Sequence, residues 1–264
     1  MNLGITGKTA LVTGSTAGIG YGAAQALAAE GAHVVINGRS EARVQEAIAR
    51  LEDAVPDANV TGIALDLGTA AGVAGLIAHL PHVDILVNNL GIFEPKPFEE
   101  IPDEDWLRFF EVNVLSGIRF ARHYVKGMRE RNWGRIIFVS SESALQIPPE
   151  MIHYGMTKTA QLAVARGLAE TLSGTGVTVN SVLPGPTDSE GVGLFRAQLA
   201  EQQGKSAGQV EREFFQSARP SSIIQRFATI EEVGAMIAYL ASEKASATTG
   251  AAVRVDGGVV RSIA

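Results

Sequence analysis

No cysteine occurs anywhere in the 264 residues. That single absence excludes disulfides, thiol nucleophiles and cysteine-ligated zinc, and it fits a reducing compartment. Positive charge is also in deficit: 22 Lys and Arg face 28 Asp and Glu, for a net charge of −6. With no run of basic residues, the chain lacks the face that a nucleic-acid backbone requires. Long apolar runs are missing as well, and none approaches the length that spans a bilayer. The N-terminus shows no charged stretch followed by an apolar segment and a cleavage site. Internal repeats, low-complexity tracts and linkers are likewise absent. The expectation is one soluble, cytoplasmic domain over residues 1–264, with no nucleic-acid and no membrane partner. At this length a single α/β domain buries an ample core without disulfides or metals. No metal site is expected, since His79 and His82 merely flank Leu80-Pro81 at a helix end.

What is present is a regular alternation. Short β-branched runs at 9–13, 33–37, 60–65, 84–88, 134–140, 177–183 and 251–255 read as strands. Longer amphipathic segments at 19–30, 40–53, 103–129, 154–172 and 230–241 read as helices, the third with a bend near Gly117. Near-continuous apolar strands alternating with helices predict a doubly wound, Rossmann-type α/β fold: a parallel sheet of about seven strands with helices on both faces. Residues 186–225 break the rhythm, being rich in Gln and Glu and lacking a strand. Such an insertion beside a regular scaffold reads as a substrate lid, partly helical over 190–217.

The first strand runs into Thr13-Gly14-Ser15-Thr16-Ala17-Gly18-Ile19-Gly20, which opens the first helix. A dinucleotide pyrophosphate needs backbone amides at a helix N-terminus and glycines that let it come close. The spacing is G-x-x-x-G-x-G, and a glycine turn alone also serves simply to pack helix on strand. Its place at the first strand–helix junction favours the cofactor reading. Tyr154 and Lys158 stand four residues apart at a helix start, hence on one face. An ammonium beside a phenol lowers the phenol's pKa toward neutrality, as proton exchange with a carbonyl oxygen requires. Ser141 ends the fifth strand, where doubly wound sheets place their ligands, although a serine there also serves as a helix cap.

These motifs together resemble the simple, single-domain form of the short-chain dehydrogenase/reductase family, similar to its 3-oxoacyl-carrier-protein reductase and glucose dehydrogenase branches. The likeness runs from Lys8 to Gly258. It implies an NAD(P)(H)-dependent oxidoreductase that interconverts a carbonyl and a secondary alcohol. Asn113, Ser141, Tyr154 and Lys158 match the catalytic tetrad. In that pattern Tyr154 exchanges the proton and Ser141 holds the reacting oxygen. Lys158 lowers the tyrosine's pKa and bonds the nicotinamide ribose, and Asn113 holds a water that relays protons. The cofactor set adds Gly14, Ser15, Thr16, Gly18, Ile19 and Gly20 in the turn, with Asp66 and Leu67 at the adenine edge. Asn89 and Gly91 follow the fourth strand, and Pro184, Gly185, Thr187 and Ser189 the sixth. Leu90 departs from the family's alanine and adds bulk near the nicotinamide.

The second strand ends Asn37-Gly38-Arg39-Ser40, without the acidic residue that binds both adenosine-ribose hydroxyls in NAD sites. Arg39 and Ser40 are placed to meet a 2′-phosphate, so NADP(H) is favoured over NAD(H). Ala17 argues the other way, because many NADP-using relatives carry a second basic residue in that turn. The pocket is expected around Leu90–Phe93, Glu142–Pro148, Met151–His153 and the lid, with no arginine at its centre. Glu142 reads as a solvated carboxylate and His153 as pointing away from the chemistry. The apolar stripe Leu162, Val164, Ala165, Leu168 and Ala169 reads as core or subunit interface. By resemblance, that helix and the one ending near Arg129 pair in a homotetramer. Two alternatives stand beside the enzyme reading: a catalytically silent cofactor sensor of the same fold, and a sugar-nucleotide epimerase, whose chains are generally longer. The intact tetrad speaks against the sensor.

Overall fold

The computed structural model describes residues 2–263, other than the side chains of residues 195 and 199. In chain order the elements are β1 (Thr9–Val12), α1 (Gly18–Ala29), β2 (His33–Gly38), α2 (Glu41–Ala54), β3 (Val60–Ala64), α3 (Ala70–His79) and β4 (Ile85–Asn88). There follow α4 (Asp103–Phe110), α5 (Ser116–Glu130), β5 (Gly134–Val139), α6 (Ile152–Glu170) and β6 (Val177–Pro184). The chain closes with α7 (Glu190–Gln203), α8 (Ala207–Ser217), α9 (Ile230–Ala241) and β7 (Ala252–Val255). Among the described residues the strands form one seven-stranded parallel sheet in the order β3-β2-β1-β4-β5-β6-β7. The order reverses between β1 and β4, where the register pairs Val12 with both Ile36 and Val87.

Successive side chains of a strand point to opposite faces, and the sequence supplies apolar residues for both. Ala10 and Val12 enter one core with Leu27 of α1 and Val233 and Ile237 of α9. Leu11, between them, enters the other core with Leu76 of α3, Phe120 and Tyr124 of α5 and Ala165 of α6. This two-sided burial is why the strands read as continuous rather than alternating apolar runs. Several helix starts are fixed by side chains: Ser40 caps α2, Thr69 caps α3, and reciprocal capping boxes start α8 (Ser206, Gln209) and α9 (Thr229, Glu232). Each cap contributes about 1 kcal/mol.

Two elements differ from the sequence reading. Helix α3 had no counterpart in it, because Ala-Ala-Gly-Val-Ala-Gly offers weak periodicity and two glycines of low helix propensity. The expected single helix over 103–129 is two, α4 and α5, joined by a π-helical turn at Glu111–Leu115 just before Gly117. The 186–225 insertion is helical over the stretch expected, as α7 and α8, which are separated by Gly204 in the left-handed conformation at φ 63°. Among the described residues no helix is long and apolar enough to cross a membrane.

Candidate active site

Every sequence-predicted site residue outside the helices lies at the carboxyl end of the sheet, where parallel strands turn outward into loops. The glycine turn follows β1. Gly14 (φ 60°) and Gly18 (φ 59°) take a backbone conformation that side-chain-bearing residues disfavour. At Gly20 a Cβ would collide with the Asn89 amide nitrogen and the Gly14 carbonyl. Helix α1 begins after Ala17 with no side-chain cap, which leaves its N-terminal amides without a side-chain partner, as an anion site requires. The residues fit a dinucleotide's pyrophosphate on that ground.

Behind the turn, several residues of the cofactor set act as a frame. Ser15 is fully buried: its hydroxyl donates to Val12 O at 2.7 Å and accepts from Asn37 N at 2.9 Å. Its backbone N–H also goes to Asn37 O, so Ser15 shapes the turn from inside rather than presenting a side chain to a ligand. Asn89 likewise ties β4 to the turn, its amide donating to Thr13 O at 3.0 Å and Gly14 O at 2.9 Å. Leu67 is buried in the core and leaves only its backbone for the adenine edge, beside exposed Asp66. Thr187 donates to Gly185 O at 2.9 Å, and Ser189 caps α7. Thr16, Ile19 and Pro184 line the same end of the sheet, and Gly185 sits tight against Asp256, where a Cβ would lie 2.7 Å from its carbonyl. Leu90 turns its bulk toward the turn and core: a Cβ at Gly14 would lie 3.4 Å from Leu90 Cδ1.

The four tetrad residues converge from three elements. Ser141 follows β5, Tyr154 and Lys158 ride one face of α6, and Asn113 sits in the π-helical turn. A Cβ at Gly91 would lie 3.4 Å from Lys158 Nζ and 3.5 Å from Asn113 Oδ1, which brings the post-β4 loop to the same point. Asn113 holds that loop in place, accepting from Ile92 N at 2.8 Å and donating to Ile92 O and Thr157 Oγ1, both at 3.0 Å. Lys158 is buried, donates to Val139 O at 2.9 Å, and lies 5.5 Å from the Tyr154 ring centroid. Burial lowers its pKa to about 8. The Tyr154 ring also meets Phe93 edge-on at 6.3 Å.

The electrostatics correct one expectation. Lys158 was expected to draw the Tyr154 pKa toward neutrality, yet the phenol's pKa is raised. Burial is the largest cause, the negative charge of Glu142 the next, while Ser141 and Arg219 pull the other way. Arrayed like this, the site keeps the proton on the phenol.

A sequence-family profile, Enoyl-(Acyl carrier protein) reductase, matches residues 14–260. The chain is a short-chain dehydrogenase/reductase. It is 49% identical to the Uncharacterized oxidoreductase YvaG of Bacillus subtilis over 100% of both chains. It is 34% identical to the D-beta-hydroxybutyrate dehydrogenase of Cupriavidus necator, covering 97% of this chain and 99% of that one. Its fold superposes on L-sorbose reductase from Gluconobacter frateurii, complexed with NADPH and L-sorbose, with a TM-score of 0.93 at 32% identity and full coverage of both chains. As a short-chain dehydrogenase/reductase the protein is an oxidoreductase that interconverts carbonyl and alcohol groups of small molecules with a nicotinamide dinucleotide. All three relatives carry the names of oxidoreductases, which leaves the silent-sensor alternative without support.

Two residues of this short-chain dehydrogenase/reductase depart from the sequence reading. Glu142, expected in solvent, is 4% exposed. It accepts from Ser141 Oγ at 2.6 Å and from Arg219 Nε at 2.9 Å. An arginine therefore does reach the pocket's polar end, contrary to expectation, from beyond the C-terminus of α8. No local pattern signals the pair, since 77 positions separate its members. His153 does point away from Tyr154, but inward: it is fully buried against Phe109, with ring centroids 4.0 Å apart. A further pairing carries no sequence signal. Arg43, in the first turn of α2, lies beyond exposed Arg39 and pairs with Glu190 of α7 at 3.1 Å, while Ser40 accepts from the Arg43 N–H as the α2 cap and keeps its own O–H donor.

Proposed function

We propose that this enzyme reduces a small-to-medium ketone, and oxidises the matching secondary alcohol, with Tyr154 as general acid and base and NADP(H) as preferred cofactor. The convergence of Ser141, Tyr154, Lys158 and Asn113 beside the glycine turn carries this reading. When bound, the cofactor supplies or takes up the hydride. The protein holds the reacting oxygen between Ser141 and Tyr154, and the phenol gives its proton to that oxygen as negative charge develops there. Lys158 stands behind the phenol as a buried cation aimed at the ribose side. Asn113 sets the loop that closes over Lys158 and, in this reading, keeps a water path to it. A phenol whose pKa is raised is protonated at neutral pH, which suits reduction. Oxidation must first remove that proton, so its rate should peak at higher pH than reduction. Purified protein followed by nicotinamide absorbance against a panel of ketones and alcohols tests the proposal; failure to turn over any member would reject it.

The NADP(H) preference rests on Arg39, exposed at the end of β2, and on the absence of a carboxylate there. Exchange of Arg39 for alanine should weaken NADPH by about 1–3 kcal/mol, the strength of a charge-assisted hydrogen bond, and NADH far less. Tighter NADH than NADPH binding to the unaltered enzyme would overturn the preference.

We further propose that residues 186–225 form a lid over the substrate and that the enzyme is a homotetramer. The lid is anchored at both ends, by Arg43–Glu190 and by Arg219 with Glu142 and Glu150. The oligomer is supported by a groove of about 360 Å³ between α5 and α6, lined by Ile118, Ala121, Val125, Val164 and Leu168. An apolar groove on paired helices is what a second copy would fill. Light scattering at micromolar concentration should give a mass four times 27.8 kDa, and Leu168→Asp should shift it downward. A 27.8 kDa species in the unaltered protein would refute the assembly.

A further inference from the structure

Glu142 is the buried charge that the proposed chemistry leaves without a task. Its side chain is 6% exposed, and its two oxygens are held differently. Oε1 accepts from Arg219 Nε at 2.9 Å, and that guanidinium is itself fixed by Glu150 at 3.3 Å and by the Ala218 carbonyl at 2.8 Å. Oε2 accepts from Ser141 Oγ at 2.6 Å. Ser141 Oγ in turn accepts from Ser143 N at 3.1 Å.

A serine hydroxyl carries one proton, and here that proton is given to Glu142. Ser141 therefore cannot donate to a reacting carbonyl oxygen without releasing Glu142 Oε2. A buried carboxylate oxygen stripped of its donor is costly, and Arg219 occupies the other oxygen rather than this one. A plain ketone would take the serine's proton and leave Oε2 bare. A ketone that brings its own donor on the next carbon restores every hydrogen bond.

We propose that Glu142, anchored by Arg219, is a specificity-determining residue that accepts a hydrogen bond from a hydroxyl on the carbon adjacent to the reacting carbonyl. The substrates are then α-hydroxyketones and the products vicinal diols. Ser141 Oγ and Glu142 Oε2 stand a hydrogen bond apart, so two oxygens on adjacent carbons, themselves close neighbours, can face both at once. On binding, Ser141 and Tyr154 turn to the carbonyl oxygen, and the substrate hydroxyl replaces Ser141 on Glu142. An ether oxygen in the same place offers only lone pairs to a carboxylate and is repelled. The inference rests on Ser141 and Tyr154 being the reacting centre.

Three ketones of similar size separate the possibilities: hydroxyacetone, butanone with a methyl in place of the hydroxyl, and methoxyacetone with the oxygen but no proton. Two quantities are measured with NADPH: kcat/KM for the unaltered enzyme, and calorimetric affinity for the Tyr154→Phe enzyme, which needs no turnover. Hydroxyacetone should exceed both analogues by at least about 10²-fold in kcat/KM, since a site built around a substrate hydroxyl leaves its own group unpaired when that hydroxyl is missing. The affinity should follow the same order. In Glu142→Ala the ratio should collapse toward unity, with Glu142→Gln between the two. Equal kcat/KM and equal affinity for hydroxyacetone and butanone would overturn the proposal, as would a ratio that survives in Glu142→Ala. The comparison in the unaltered enzyme decides even if Glu142→Ala does not fold. Discrimination in binding with no turnover of any ketone would support the role of Glu142 and instead reject Tyr154 as the reacting acid.

Discussion

Tyr154→Phe should lower kcat for ketone reduction by about 10²–10⁴, the usual loss of a general acid, and leave NADPH affinity nearly unchanged. The substitution removes one oxygen and keeps the ring. That ring meets Phe93 edge-on, and its place at the start of α6 depends on backbone hydrogen bonds that the change does not touch. Ser141 still reaches Glu142, so the polar end of the site keeps its shape. What disappears is the transferable proton, which in the unaltered enzyme is held on the phenol by burial and by the charge of Glu142. The measurement is steady-state kinetics beside a fluorescence titration of NADPH. Retention of more than a tenth of the activity would remove Tyr154 from the chemistry, and a parallel collapse of NADPH binding would show that the phenolic hydroxyl serves the cofactor as well as the proton.

The parts of this molecule legible in its sequence are those where one local pattern has one physical outcome. Strands β1, β4, β5 and β6 are buried on both faces, so each appears as an unbroken apolar run. The turn at Gly14–Gly20 is legible because its glycines answer to positive φ and to close backbone approach. Tyr154 and Lys158 are legible because a helical spacing of four fixes them on one face. Helix α3 was not, since its small residues bury well without marking a stripe.

Within the site, the illegible parts are partnerships between distant segments. Glu142 looks like any carboxylate beside a strand until Arg219 arrives from the end of α8 and withdraws it from water. Ser15 and Asn89 belong to a cofactor motif, yet their side chains are engaged by Val12, Thr13, Gly14 and Asn37. Residues that hold a loop in shape and residues that touch a ligand carry the same sequence signature, because both are required for the same binding surface. Only the hydrogen-bond partners distinguish them.

Lys158→Met should abolish most turnover and at the same time raise thermal stability near neutral pH. Lys158 is 4% exposed, and its ammonium donates to the Val139 carbonyl at 2.9 Å, its one hydrogen bond among the described residues. Burial lowers its pKa from 10.5 to about 8, so the folded state disfavours the charge that the unfolded chain carries freely. A shift of that size corresponds to roughly 3 kcal/mol of lost stability. Methionine fills the same space without charge, although the Val139 carbonyl then loses its donor, which offsets about 1–3 kcal/mol of the gain. The net gain should therefore be on the order of 1 kcal/mol. Its pH dependence is the more discriminating reading. Below about pH 8 both folded and unfolded chains hold the lysine proton, and the full penalty applies. Between about 8 and 10.5 the folded state releases it first, so the unfolded state binds more protons and the unaltered enzyme gains stability as pH rises. The advantage of Lys158→Met, followed by thermal melting without cofactor, should thus be largest at neutral pH and shrink across that window. NADPH should protect the unaltered enzyme more than the variant, since the ammonium is kept for the ribose side despite its cost, as functional groups often are. An advantage that grew with pH would mean that Lys158 is stabilised, not strained, by where it is buried.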